Sequence, residues 1–111
     1  MTYLVTGEFI DPGPMMPPQQ LVPMIEHRII PSFEALVKLE AEEKVVAGGV
    51  LVGKRTGAFI VEAASNEELN QLMHQLPFWG LLKWKVAPLH SFEGAAAQAR
   101  QDLERMKQAM Q

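Results

Sequence analysis

Residues 58–89, AFIVEAASNEELNQLMHQLPFWGLLKWKVAPL, contain the pattern that decides the fold. An apolar, strand-like run is followed by Ser65 and Glu68, a capping-box pair that marks the start of a helix. Leucines and a methionine then recur at intervals of three and four until Pro77, which ends the helix. From Leu81 onward, large residues alternate with lysines. We therefore expect this stretch to form a strand, a short helix and a second strand.

The part of the chain before this stretch contributes a strand and a long helix. Residues 3–9 alternate large apolar side chains with smaller or polar ones, which predicts a first strand. Residues 11–18 contain four of the eight prolines and predict a loop. Apolar residues at intervals of three or four predict a helix over 19–46, and Pro31 is expected to kink or split it.

A β-hairpin is predicted between the two helices. Gly48 and Gly49 are expected to stop the first helix. Residues 50–53 and 58–63 are short apolar runs on either side of the glycine-containing segment 54–57. We therefore predict two antiparallel strands joined by a turn at 54–57.

The end of the chain has the pattern of a third helix with a narrow apolar stripe, formed by Ala96, Ala99, Leu103, Met106 and Met110. The complete order is then β-α-β-β-α-β plus a C-terminal helix. This order predicts an α+β, ferredoxin-like fold with an antiparallel sheet and its helices on one face. At 111 residues we expect one domain, with a core over 1–91 and the extra helix over 92–111.

Large apolar residues are expected on both faces of this sheet. The residues expected on one face are Tyr3, Val5, Phe9, Leu51, Ile60, Trp84 and Val86. They alternate along the strands with those expected on the other face, which are Leu4, Ile10, Val50, Val52, Phe59 and Val61. A sheet that is apolar on both faces needs a second cover beyond its own helices. We therefore predict that two copies pair through their sheets, as a homodimer or a higher oligomer.

Composition excludes several classes of function. Lys and Arg number 10 against 13 Asp and Glu, a formal net charge of -3, and the basic residues are scattered, so neither nucleic acid nor a membrane is an expected partner. The absence of cysteine excludes disulfides and thiolate chemistry. No apolar run approaches the roughly 18 residues that a membrane span needs. We expect a cytoplasmic protein.

The sequence resembles the muconolactone isomerase family. The resemblance rests on the alternating strand Phe59-Ile60-Val61-Glu62, on the helix start at Ser65 and Glu68, and above all on the Leu-Pro-aromatic step in the segment LNQLMHQLPFW. It extends from about Leu39 to Leu89. It implies a ferredoxin-like protomer that pairs through its sheet into a dimeric α+β barrel and often assembles further.

The resemblance also implies a function, a cofactor-independent isomerase that shifts a proton on a small lactone or enol acid. The family typically carries a Trp- and Arg-rich segment that suits a carboxylated lactone, whereas residues 44–52 here read KVVAGGVLV. This difference favours an alternative, a non-catalytic protein of the same fold that binds a small molecule or serves as an oligomeric scaffold.

A proton shift through a dienolate needs a base, a proton donor and a group that holds negative charge. Glu62 is the first candidate base, because a carboxylate desolvated beside Ile60 would hold a proton more strongly. His27 is a second candidate, as base or donor. For both residues a solvent-facing position is the open alternative. The reaction that the resemblance implies requires neither a metal nor an organic cofactor, and the chain's three histidines show no spacing typical of a metal site, so no cofactor is expected.

Five further residues are candidates for substrate binding. Arg55, in the predicted turn, could supply one positive charge for a small anionic molecule. The candidates for an apolar pocket wall are Phe78, Trp79 and Trp84, and His90 is a candidate for its mouth. Core or interface packing is the alternative for the aromatic residues, and a surface position is the alternative for His90 and Arg55.

Lys83 and Lys85 flank Trp84 and share one face of the predicted strand. From that face they could attract an anionic ligand, with a solvated sheet edge as the alternative.

Overall fold

The structure is a computed structural model and describes residues 1–10 and 17–111. Its elements are β1 (Thr2–Phe9), α1 (Pro18–Met24), a π-helical turn (Ile25–Ile29), α2 (Ile30–Ala41), β2 (Val45–Val50), β3 (Thr56–Glu62), α3 (Asn66–His74), a 3-10 turn (Trp79–Leu81), β4 (Leu82–Leu89) and α4 (Phe92–Ala109). Most of the loop predicted at 11–18 lies outside the described residues, and Pro18 already begins α1.

The four strands form one antiparallel sheet in the order β2-β3-β1-β4. This arrangement confirms the predicted α+β, ferredoxin-like fold, and α4 confirms the extra C-terminal helix. Pairing with a second copy, the division into a core and a terminal helix, and a cytoplasmic location remain predictions. Within 1–10 and 17–111, no helix combines the length and apolar character that crossing a membrane requires.

The register of the sheet assigns each strand residue to one of its two faces, because side chains alternate along a strand. Val5 lies opposite Phe59 and Val86, so all three face the helices. Leu4 lies opposite Ile60 and Ala87 on the other side, which we call the open face.

The predicted distribution of apolar residues over the faces was therefore wrong in part. The helix-covered face holds Tyr3, Val5, Phe9, Phe59, Val61, Trp84 and Val86, whereas the open face holds Thr2, Leu4, Thr6, Glu8, Ala58, Ile60, Glu62, Lys83, Lys85, Ala87 and Leu89. Most of the large side chains lie on one face, and the open face mixes apolar and charged groups.

A buried hydrogen bond connects α2 to the Leu-Pro-aromatic segment. Ser32 is fully buried, and its hydroxyl donates to the Arg28 carbonyl at 2.6 Å. The same oxygen accepts the Phe78 amide at 2.9 Å. Phe78 is itself 3% exposed and packs edge-on against Phe33. Ser32 thus satisfies a backbone group that would otherwise be buried without a partner.

The prediction that Pro31 interrupts the first helix is confirmed. Pro31 lies at the start of α2, and the turn before it, Ile25–Ile29, is π-helical. A proline in this position has no N–H to donate to the preceding turn, and a π-helical turn is one way in which a helix accommodates that loss.

The predicted end of the first helix and start of β2 were wrong. α2 ends at Ala41, and β2 runs from Val45 to Val50, so Gly48 and Gly49 lie inside a strand. Gly48 lies opposite Phe59, and a Cβ atom added to Gly48 would come within 2.5 Å of the Phe59 Cβ. Gly48 therefore permits close approach of two strands and does not stop a helix.

Helix α4 extends away from the rest of the described chain. It contains no buried residue, and Phe92 and Met110 are almost fully exposed. The radius of gyration is 19.1 Å, against about 13 Å expected for a compact chain of this length. The longest dimension of the structure is 72 Å.

The two adjacent glycines of β2 provide a matched test of this packing. We expect Gly48→Ala to lower the free energy of unfolding by about 1–3 kcal/mol, because the new methyl group collides with Phe59 and the Ala58 carbonyl. Gly49→Ala, whose Cβ would have no atom within 4 Å, should change it by less than about 0.5 kcal/mol. Urea denaturation measures both, and equal effects would contradict the register of β2.

Candidate functional site

A cleft of about 530 Å³ opens to solvent on the helix-covered face, between α3 and β4. It exists because the helices pack over the β1–β3 part of the sheet, where Val5, Phe59 and Val61 are buried. On β4 only Leu82 is buried, and Val86 remains 44% exposed. The lining residues are Met1, Tyr3, Asn66, Leu69, Asn70, Met73, Trp79, Trp84, Val86 and Pro88.

The two tryptophans of the chain both line this cleft, and each is held by neighbouring groups. The Trp84 indole nitrogen donates a hydrogen bond to the Trp79 carbonyl at 2.8 Å. Trp84 also packs edge-on against Phe59 and Phe78, with ring centroids 6.2 and 6.0 Å apart. Trp79 stacks on His74, with centroids 4.1 Å apart and the planes 26° from parallel. The cleft therefore has two aromatic walls of fixed orientation.

The polar groups of the cleft come from β1 and α3. The Tyr3 hydroxyl donates to the side-chain oxygen of Asn66, which leaves the Asn66 amide nitrogen as a donor. Among the described residues, the Asn70 side chain forms no hydrogen bond within the protein. The cleft thus offers amide groups to a ligand that carries carbonyl or hydroxyl oxygens.

His74 is held by its ring nitrogen as well as by stacking. Its Nδ1 lies 2.7 Å from the Asn70 carbonyl. Because a carbonyl only accepts, Nδ1 carries the proton, and in the neutral ring Nε2 is the free acceptor. An imidazole with this arrangement can accept a proton at Nε2.

The four aromatic and histidine candidates for substrate binding occupy three different environments. Trp79 and Trp84 line the cleft. Phe78 is buried beneath Trp84 and lies in the core. His90 is exposed after β4, with its ring over Gly94 in the first turn of α4. The substrate-binding role of these residues remains a prediction.

The two catalytic candidates and Arg55 lie outside the cleft lining. The Glu62 side chain is on the open face, is 47% exposed and accepts a hydrogen bond from Thr2. His27 is exposed on the π-helical turn, in the helical part of the chain. Arg55 is exposed in the β2–β3 turn, where its carbonyl accepts the Phe9 amide at 2.9 Å. The structure does not bring Glu62 and His27 together, and their catalytic role remains a prediction.

Tyr3, Asn66, Asn70 and His74 were not among the site residues predicted from the sequence. A signal was present, because Asn66, Asn70 and His74 follow one another at intervals of four and so lie on one face of α3. The buried residues Leu69 and Met73 adjoin this face of α3, so the face borders the core. Among residues 1–10 and 17–111, no group of three or more His, Asp or Glu residues is placed to hold a metal ion.

The stack between His74 and Trp79 predicts how exposed Trp79 is. In a Trp84→Phe background, where Trp79 is the sole tryptophan, His74→Ala should increase quenching of its fluorescence by acrylamide, because one face of the indole loses its cover. His74→Phe should keep quenching near its original value. Both variants should change the free energy of unfolding by less than about 0.5 kcal/mol, since His74 is exposed. Equal quenching in all three proteins would contradict the stack.

Comparisons with known proteins agree with this fold. The family described as muconolactone delta-isomerase matches residues 1–95. A solved structure of muconolactone isomerase is 19% identical, with a TM-score of 0.66 over 82% of this chain and 90% of that chain. The structure of 5-chloro-2-hydroxyhydroquinone dehydrochlorinase from Burkholderia phenoliruptrix AC1100, in complex with 2,5-dihydroxybenzoquinone, is 22% identical, with a TM-score of 0.58 over 84% of this chain and 97% of that chain.

No curated protein matches the sequence. At these identities the two solved structures show a shared fold. The family match covers most of the sequence and agrees with the resemblance found in residues 39–89, so the chain belongs to the muconolactone delta-isomerase family.

Proposed function

We propose that this protein is a cofactor-independent enzyme of the isomerase type, which binds a small, flat lactone or enol between Trp79 and Trp84. The observation that carries the proposal is the pair of fixed indoles in an open cleft of about 530 Å³. This volume lies in the range typical of small-molecule sites, and an indole face is a suitable surface for a flat ring.

Membership of the muconolactone delta-isomerase family supports the type of reaction. A proton is removed from one ring carbon, the resulting dienolate places its negative charge on the carbonyl oxygen, and a proton returns to a different carbon. The double bond moves, and there is no net oxidation or reduction. In the cleft lining, the side-chain amides of Asn66 and Asn70 can donate to such an oxygen, as can the Trp79 indole N–H.

Three residues are proposed for proton transfer. Glu62 and His27 are retained from the sequence, and His74 is added because its ring contacts the Trp79 wall and has Nδ1 bonded to the Asn70 carbonyl. Glu62, His27 and His74 all lie outside the cleft lining, which favours a second candidate function, in which the cleft binds a small molecule without converting it.

The experiment uses muconolactone and its methyl ester as probes. Binding is read from tryptophan fluorescence, because both tryptophans line the cleft, and from titration calorimetry. Conversion is read from the ultraviolet absorbance and from incorporation of deuterium into the lactone ring in D2O. We expect binding of at least one probe together with conversion. Binding without conversion would favour the non-catalytic function, and binding of neither probe by either method would contradict the proposal.

A matched pair of variants tests the location of the site. Val86 is 44% exposed and lines the cleft, so Val86→Phe places a bulky aromatic side chain in the space for the ligand. This substitution should lower kcat/KM, or the binding constant, by about tenfold or more. Val52→Phe makes the same change in the fully exposed β2–β3 turn and should leave both values within about twofold. Equal effects of the two substitutions would place the site elsewhere.

A further inference from the structure

We infer that the cleft selects an uncharged, oxygen-bearing ring and discriminates against a carboxylated one; this inference rests on the proposed function of the cleft as the binding site. All ten Lys and Arg residues lie within the described ranges, and none lines the cleft. Among residues 1–10 and 17–111, no Asp or Glu lines the cleft either. A carboxylate bound between the two indoles would therefore lose part of its hydration without gaining a cationic partner.

The lysines nearest to the cleft in sequence are directed away from it. Lys83 and Lys85 flank Trp84 on β4, and they lie opposite Glu8 and Thr6 of β1 on the open face. Trp84 lies opposite Gly7 on the helix-covered face. The pleat of the strand thus separates both lysine side chains from the cleft by the thickness of the sheet.

Two other positively charged groups are Arg55, which is remote from the cleft, and the Met1 amino group, which is paired within the protein. Arg55 lies in the β2–β3 turn, on the opposite side of β1 from β4. The amino group of Met1, which borders the cleft, donates to the Ala63 carbonyl at 2.9 Å and lies 3.6 Å from the Glu62 carboxylate. Its charge is therefore already matched by an acidic side chain.

The groups that do line the cleft suit a neutral ring. The indoles of Trp79 and Trp84 provide stacking surfaces, Asn66 and Asn70 provide amides, and Met73 contributes an apolar, polarisable side chain. Lactone carbonyls and enol or phenol hydroxyls can hydrogen-bond to these amides without a net charge. A small anionic partner was predicted from the sequence, whereas the cleft lining favours an uncharged one.

The test compares muconolactone, whose carboxylate is ionised at pH 7, with its methyl ester, which has the same ring and no charge. Affinities are measured by tryptophan fluorescence and titration calorimetry at low and high salt. We expect the ester to bind about tenfold or more tightly, because the carboxylate would lose hydration in the cleft without gaining a cationic partner. The affinity for the ester should not change with salt.

Two variants of one residue test the cause. Asn70→Lys places a positive charge in the cleft lining and should shift the preference toward the carboxylate by about tenfold or more. Asn70→Gln changes the length of the side chain without adding a charge and should keep the preference for the ester. Lys85→Met, on the open face, should leave the affinity for the carboxylate within about twofold.

The inference is supported if the original protein binds the ester more tightly and if this preference is reversed in Asn70→Lys but not in Asn70→Gln or Lys85→Met. Equal or tighter binding of the carboxylate by the original protein overturns it and leaves the proposed function standing, because the cleft still binds a lactone. A large loss of carboxylate affinity in Lys85→Met also overturns it. Binding of neither probe overturns both the inference and the proposed function.

Discussion

The position of helices α2 and α3 over one side of the sheet determines the rest of this structure. Residues of β1, β2 and β3 are buried beneath α2 and α3, where Val5, Val45 and Phe59 form part of the core. The inward side chains of β4 beyond Leu82 receive only partial cover. Trp84 and Val86 therefore line a cleft instead of forming part of the core, and a ligand is one way to complete their burial.

The Leu-Pro-aromatic segment connects this packing to the cleft. Pro77 follows the end of α3, and Phe78 then enters the core while Trp79 stays at the surface, 37% exposed. The buried Ser32 hydroxyl fixes the Phe78 amide, so α2 helps to position the wall of a cleft that it does not line. The Leu-Pro-aromatic step, on which the resemblance to the family mainly rests, therefore has a structural role. Through Trp79 it also contributes to the candidate site.

The sequence predicted elements wherever a local rule was decisive. Ser65 was recognised as a helix cap, and its side chain accepts the Glu68 amide at 3.2 Å. Pro31 was recognised as a break in the first helix. Gly48 was misread, because a glycine that ends a helix and one that lets two strands approach look alike until the partner, Phe59, is known.

The candidate site was less predictable than the fold, because it depends on contacts between distant segments. Trp79 and Trp84 were identified as pocket residues from their type, but Asn66 and Asn70 are ordinary polar residues of a helix until β4 is placed beside them. Glu62 was expected to be desolvated by Ile60. Both side chains, however, lie on the open face, which no element of the described chain covers, and Glu62 at the end of β3 is 47% exposed.

Binding of a ligand between α3 and β4 can be tested by ¹H–¹⁵N NMR of the labelled protein. On addition of muconolactone methyl ester, we expect shifts of the Trp79 and Trp84 indole N–H signals and of the Asn66 and Asn70 side-chain amides. Shifts confined to the open face, at Leu4, Ile60 and Lys85, with unchanged indole signals, would rule out binding in the cleft.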